Sequence, residues 1–321
     1  MTFMPSNAEK LTVEDFAKLL GESAADIPEA CKTVIDSNNF DYQKLDFAEH
    51  ETLFRDVSRR VEEESFSVAG KEKQSRWADG WQDILVQFRA NKYDPAVLAP
   101  HYDRKPAKFV RLNQKFIAPA NPMFEMRWLD AYRLWLFETY LKDVKNIYEF
   151  GCGTGQNLVA LANLFPEKNL YGFEWVDAPM QIIDLLAKHR HLKITAGIFD
   201  FFSPDRNLKI KENSAVFTRA ALEQIGADFK PFLDFLLEQS PSICVHSEPI
   251  LELYDPINPL DQLAIKYQTR RNYLKGFLNH LLLLRDLGKI ELVKFHRVPF
   301  GSLFVEPYSY IVWKPIKNNY E

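Results

Sequence analysis

The sequence predicts an α/β protein in which a mostly parallel sheet, closed by an antiparallel pair, follows an all-helical N-terminal region. Three observations carry this. From residue 146 onward, short apolar runs alternate with helical ones, the pattern of parallel strands joined by crossover helices that cover both faces of a sheet. Residues 1–145 instead repeat apolar positions every three to four residues, the period of a helix with one buried face. And three of the 12 glycines in 321 residues fall within five positions, in IYEFGCGTG at 147–155, in a chain with about half the usual glycine content.

Taken in order, the first helix is LTVEDFAKLLG, with Thr12 as N-cap and Gly21 as stop. A second helix is predicted over 27–37, and a third over 48–64, where Leu53, Val57 and Val61 are four apart. A fourth lies in SRWADGWQDILVQFRAN, with Trp77, Trp81, Ile84, Leu85 and Phe88 on one face. A connector with Pro95, Pro100, Pro106, Pro119 and Pro122 follows and reads as an ordered loop or lid. In MRWLDAYRLWLFETYL, at 126–141, Trp128, Tyr132, Trp135 and Leu136 form a helical stripe, better read as core than as a ligand platform. Strands are predicted at 146–150, 169–174, 192–199, 214–220 and 242–248, with helices at 156–165, 178–189 and 229–239. After Pro259 one long helix runs to about residue 287, and strands at 289–297 and 308–314 close the chain as an antiparallel pair. The domain reading is therefore a helical region 1–95, a connector and helix 96–145, and an α/β domain 146–321.

Glycines between a strand and a helix let a ligand approach the backbone without meeting a Cβ, beside the free N–H groups of the helix start. A dinucleotide fingerprint would read G-x-G-x-x-G. Here Gly151, Gly153 and Gly155 give G-x-G-x-G, and Gln156 follows. YEFGCGTGQN resembles motif I of the class I S-adenosylmethionine-dependent methyltransferases, and the resemblance covers residues 146–321. It implies a Rossmann-like seven-stranded sheet with an antiparallel last strand, and S-adenosyl-L-methionine as cofactor. It also implies that Glu149, Gly151, Cys152, Gly153, Gly155 and Asn157 frame the amino-acid and ribose portions of that cofactor. Glu174 stands 23 residues after Gly151, where an acid binds ribose hydroxyls, and Trp175 then lies near the adenine. By the same resemblance Asp200 accepts from the adenine amino group and Phe199 or Phe201 flanks the ring, although Asp200 also suits a cap on the following turn. Thr218 and Arg219 would border the cofactor at the end of the fourth strand.

The acceptor side is less legible. Arg219, at a strand's carboxyl end, faces the crevice in which α/β sheets bind ligands, and either holds an anionic group or pairs with Glu223. His246 and Glu248, in CVHSEP, are the candidate proton acceptors, with a hydrogen-bonded core histidine as the equal alternative for His246. Tyr254, Tyr267, Arg111, Asn113 and Gln114 are candidate substrate-binding residues, the last three if RLNQKF folds over the site as a lid. The pairs Lys266/Arg270 and Arg271/Lys275 read as a solvated helix face. No metal site is predicted.

Composition sets outer bounds. A net charge of −4 and 26% charged residues give no basic excess that asks for a nucleic acid. Three widely spaced cysteines form neither a disulfide framework nor a zinc site. No signal peptide or membrane span is read, so the expectation is a cytoplasmic enzyme. It would methylate O or N of a small-molecule acceptor, with the N-terminal helices available as a homodimer interface. The other readings are a protein or RNA methyltransferase, a nicotinamide-dependent oxidoreductase, and a non-catalytic methyltransferase-like scaffold.

Overall fold

The computed structural model describes residues 8–99 and 107–316. Pro100 and Pro106 of the connector lie outside the described residues, as does the chain start on which the absence of a signal peptide was read.

The N-terminal region opens with β1 (Ala8–Lys10), then α1 (Val13–Leu20), held by a Thr12–Asp15 capping box and ended by Gly21. Next come α2 (Glu29–Ser37), β2 (Asp41–Lys44), α3 (Phe47–Glu63) and α4 (Gln74–Ala90). The hairpin β3 (Val110–Leu112) and β4 (Lys115–Pro119) precedes α5 (Phe124–Tyr140). The α/β region then runs β5 (Asn146–Phe150), α6 (Gln156–Leu164), β6 (Asn169–Glu174), α7 (Asp177–Arg190), β7 (Ile194–Ile198), β8 (Ser214–Arg219), α8 (Lys230–Gln239) and β9 (Ile243–Ser247). It closes with α9 (Pro259–Arg270), α10 (Phe277–Asp286), β10 (Ile290–His296), β11 (Phe300–Gly301) and β12 (Tyr310–Pro315).

Seven strands form one sheet in the order β10-β12-β9-β8-β5-β6-β7. β5, β6, β7, β8 and β9 pair in parallel, and β12 is antiparallel to both β9 and β10. This is the sheet that the sequence resemblance implies: the chain has a class I methyltransferase fold. The pleat sorts side chains by parity. Ile147, Phe217, Val245 and Val312 join the large core beneath α5, α6, α7 and the N-terminal helices. Their neighbours Tyr148, Val216, Cys244 and Ile311 join a second core beneath α8 and α10. The stripe Trp128, Tyr132, Trp135 and Leu136 is fully buried in the first core.

Two expectations need correction. The N-terminal extension is not all helical. β1, β2, β4, β3 and β11 form a five-stranded antiparallel sheet, with Tyr42 opposite Pro119, Val110 opposite Ile117 and Phe300 opposite Leu112. Its strands are two to five residues long and pair across most of the chain, too short and too distant to register as period-two runs. The predicted lid RLNQKF is the β3–β4 hairpin of this sheet, turned by Asn113 (φ 49°) and Gln114 (φ 58°). Second, the long helix after Pro259 is broken. Asn272 takes φ 49° and its N–H bonds back to Thr269, which ends α9 and lets Tyr273 and Leu274 turn inward before α10 starts.

Candidate active site

Where the parallel strands end, a cavity of about 470 Å³ opens on the face of the sheet turned toward α4 and α5. That size falls within the usual range of small-molecule sites. Parity selects what reaches it. Glu149 shares its face with Ile147, Glu174 with Leu170 and Arg219 with Phe217, all on the large-core side, so the three charged side chains converge there.

The glycine loop forms one wall. Gly151 has φ 72°, and a Cβ there would stand 2.4 Å from the Ala221 Cβ. Gly153 has φ 52°, and its Cβ position meets the Trp81 indole at 3.3 Å. Both residues are glycine because the turn is left-handed and is pressed between two other segments. Thr154 ties the loop to the N-terminal region by donating to the Leu98 carbonyl at 2.7 Å.

Two buried carboxyls lie against this loop. Glu149 Oε1 accepts from Asn157 Nδ2 at 2.7 Å. Glu149 Oε2 and Asn157 Oδ1, both buried acceptors, make no hydrogen bond within the protein. Burial raises the Glu149 carboxyl to about 8, against the opposing pull of the Asn157 hydrogen bond and of Arg219. Glu174 accepts the Gly153 N–H at 3.2 Å and the Trp175 N–H at 2.9 Å, and burial brings it to about 7. Trp175 and Phe201 line the same space, and the stacked pair Trp77 and Trp81, 5.3 Å between ring centroids, closes it from α4.

The rest of the cavity is built by residues distant in sequence. Arg219 lies 5.8 Å over the Tyr308 ring, whose hydroxyl donates to Glu125 at 3.3 Å. Glu223 accepts from Gln224 at 2.7 Å. Arg271 donates to the Tyr267 hydroxyl at 2.7 Å and lies 4.7 Å over the Tyr273 ring. Met123, Met126, Leu129 and Val305 supply apolar surface.

Of the predicted cofactor residues, Glu149, Gly151, Cys152, Gly153, Asn157, Glu174, Trp175, Phe201 and Arg219 line the cavity, and of the substrate candidates Tyr267 does. Gly155 stands behind the loop as the N-cap of α6, at φ 80°. Asp200 accepts the Phe202 N–H at 2.8 Å, the turn-capping role that the sequence left open. Thr218 is on the other face of the sheet, bonded to His246 Nδ1 at 2.9 Å.

The two predicted proton acceptors are corrected. His246 is fully buried against Phe277 and Trp313 in the second core, away from the cavity, and burial lowers it to about 3. Glu248, equally buried, accepts the backbone N–H groups of Ala221 and Leu222 at 3.1 Å and of Glu223 at 3.2 Å. It caps the turn that walls the cavity and does not line it. Tyr254 accepts the Glu306 N–H at 2.8 Å beneath Arg297, and Arg111 is buried with its Nε donating to Leu303. Asn113 and Gln114 border a separate hollow with Arg297 and Pro299. These four are also away from the large cavity.

Arg271, predicted to lie on a solvated face, lines the cavity just after α9, whereas Lys266 within α9 pairs with Glu62 at the surface. Glu223 entered the sequence reading only as a possible partner of Arg219, and Trp77 and Trp81 only as a helix face. Among the described residues no cluster of His, Cys, Asp and Glu could hold a metal ion, and no helix is long and apolar enough to cross a membrane.

No family model and no curated protein matches the chain. Solved structures do. PigF with S-adenosylhomocysteine is 15% identical, covering 84% of this chain and 69% of that one at a TM-score of 0.43. The [4+2]-cyclase SpnF is 14% identical, covering 79% and 99% at 0.49. Human N-acetylserotonin methyltransferase in complex with S-adenosylmethionine is 10% identical, covering 84% and 68% at 0.46.

Proposed function

We propose that the protein is an S-adenosylmethionine-dependent methyltransferase that acts on O or N of a small molecule. The observation that carries the reading is the pair of buried acceptors, Glu149 Oε2 and Asn157 Oδ1, that make no bond within the protein beside a left-handed glycine loop with no room for a Cβ at Gly151. Such acceptors are costly unless a donor reaches them. The α-ammonium group of the cofactor supplies N–H donors and a positive charge. Glu174, with two acceptor oxygens and two backbone N–H groups fixing its orientation, suits a ribose diol. Trp175, Phe201 and Trp81 offer aromatic faces for the adenine.

The bound cofactor supplies an electrophilic methyl group. The protein's own part is alignment and exclusion of water. Trp77 and Trp81 cover the glycine loop, and Met123, Met126 and Leu129 of the α5 region line the remaining space. A cavity walled on one side in this way by the chain's own N-terminal region favours a small acceptor over a protein or an RNA. The net charge of −4 also speaks against a polyanionic acceptor.

Calorimetry with S-adenosylhomocysteine tests the reading. Binding in the micromolar range, weakened at least tenfold in Glu174→Ala, is expected. No heat of binding by the folded chain would refute it.

A further inference from the structure

Resting on the methyltransferase reading, we infer that Glu223 accepts the proton of the acceptor nucleophile, so that the acceptor class is protic: an amine or a hydroxyl compound. With His246 and Glu248 turned to structural roles, the cavity holds four acidic side chains, Glu125, Glu149, Glu174 and Glu223. Glu149 and Glu174 are engaged at the glycine loop. Glu125 is only part-buried and receives the Tyr308 hydroxyl. Glu223 is the one that is buried, at 9% exposure, and set among the residues left for an acceptor.

Its surroundings are those of a positioned base. The backbone of Glu223 is fixed by its own N–H to Glu248 Oε2, and one carboxylate oxygen is oriented by Gln224 Nε2. The charged and titratable groups that face it are Tyr267 of α9, Arg271 and Tyr273 after α9, Arg219 at the end of β8, Glu248 behind the turn, and Lys73 before α4. Two guanidiniums keep an ionised carboxylate tolerable in a site that burial alone would neutralise, and the balance leaves Glu223 near 7. A base of that strength is about half ionised at neutral pH and takes up a proton readily.

The step balances. The proton leaves the acceptor N–H or O–H for a Glu223 oxygen while the nucleophile's lone pair forms the new bond to the methyl carbon. The carbon–sulfur bond breaks and its electron pair stays on sulfur as a neutral thioether. One sulfonium charge and one carboxylate charge disappear together, which suits a carboxylate as buried as Glu223.

The test uses the full-length chain and two variants, Glu223→Gln and Glu223→Asp, each checked for an unchanged melting temperature. Transfer of labelled methyl from S-adenosylmethionine is measured to a panel of small phenols, alcohols, primary and secondary amines, tertiary amines and thioethers. Calorimetry with S-adenosylhomocysteine runs alongside. Infrared titration of the S-adenosylhomocysteine-loaded protein gives a second readout that needs no turnover. Expected are transfer to a protic acceptor, kcat lower by about 10²–10⁴ in Glu223→Gln, partial recovery in Glu223→Asp, and affinity for S-adenosylhomocysteine within twofold. The acid limb of the kcat profile should disappear in Glu223→Gln, together with one carboxyl band titrating between about pH 6 and 8.

Transfer only to thioethers or tertiary amines would overturn the assignment. So would no transfer to any protic member of the panel, an unchanged acid limb, or an unchanged infrared titration, while binding of S-adenosylhomocysteine left the methyltransferase reading intact. Absence of that binding would sink the reading itself.

Discussion

Glu248 looks like a proton acceptor in the sequence and is a capping residue in the structure, and the two roles predict opposite behaviour in one substitution. Its Oε1 accepts the N–H groups of Ala221 and Leu222, and its Oε2 that of Glu223. In Glu248→Ala all three buried donors lose their partner. An orphaned buried polar group costs about 1–3 kcal/mol. These bonds are 3.1, 3.1 and 3.2 Å long, so the lower end applies to each, and about 3–5 kcal/mol in total is expected. That is a large share of the roughly 5–15 kcal/mol that holds a domain folded. Glu248→Gln keeps one oxygen for Ala221 and Leu222 but sets an amide NH₂ against the Glu223 N–H, for about 1–3 kcal/mol. Urea denaturation measures both, with an unchanged m-value showing that the folded state stays as compact. Because the capped turn carries Ala221, which abuts Gly151, affinity for S-adenosylhomocysteine should fall with stability. A Glu248→Gln protein within about 0.5 kcal/mol of the parent, with intact binding and lost methyl transfer, would refute the capping argument and restore Glu248 as a participant in the chemistry.

Three further predictions follow from the same geometry. Gly151→Ala places a Cβ at φ 72° and 2.4 Å from Ala221, costing about 1–2 kcal/mol in backbone strain and about 1–3 in overlap. Calorimetry should show affinity for S-adenosylhomocysteine reduced more than tenfold, and an unchanged value would mean that the loop does not hold the ligand. Stability should decline on both sides of a mildly acidic optimum, between about pH 4.5 and 6.5, for different reasons. His246, lowered to about 3, contributes stability that is present above its unfolded value near 6.5 and lost as pH falls, whereas Glu149, raised to about 8, makes the protein less stable as pH rises from about 4.5 through 8. Melting curves of His246→Phe and Glu149→Gln should flatten the acid and alkaline arms respectively, and a reversed assignment of arms would contradict the burial argument. Finally, tryptophan fluorescence should change on binding S-adenosylhomocysteine, and Trp81→Ala should remove most of that change while weakening binding; a full signal in the variant would place the ligand away from α4.

The α/β half was legible because each of its signals is local. Apolar runs such as IYEF and LYGFE are strands buried on both faces, and the observed β5 and β6 have the predicted bounds. The positions of Gly151, Glu149 and Glu174 relative to strand ends follow from spacing alone. What spacing could not show was orientation beyond a strand's last residue. His246 and Glu248 are two apart, which places both on one face of a regular strand, but β9 ends at Ser247, and Glu248 turns back to cap Ala221 while His246 points into the opposite core. Parity within β9 was available from the sequence, since Cys244 and His246 share a face that Val245 and Ser247 do not. The missing knowledge was which face carried the cavity, and that is decided by α4 and α5, from the other half of the chain.

The second sheet changes what the N-terminal region is for. Read as a helical extension, residues 1–95 could be an appendage that dimerises. Yet β1 and β2 are extended by the β3–β4 hairpin and then by β11, which falls in the chain between β10 and β12, two paired strands of the seven-stranded sheet. The backbone pairing therefore joins the first residues described to the last strands of the chain. The same joining is seen in the side chains. Phe16 and Phe40 pack on Trp128 and Phe124, Tyr310 donates to the Leu20 carbonyl, and Trp81 rests on Gly153. An appendage does not share its core with its host, and a region whose loss would open both a sheet edge and the roof of the cavity is part of the same folding unit. The cavity is correspondingly a product of four distant segments: α4, α5, the turn after β8, and the chain between α9 and β12. Motif I lies on one wall of the cavity, but on the reading proposed above selection of the acceptor would fall to residues that no single motif gathers, with Arg271 and Tyr273 present there only because α9 breaks at Asn272.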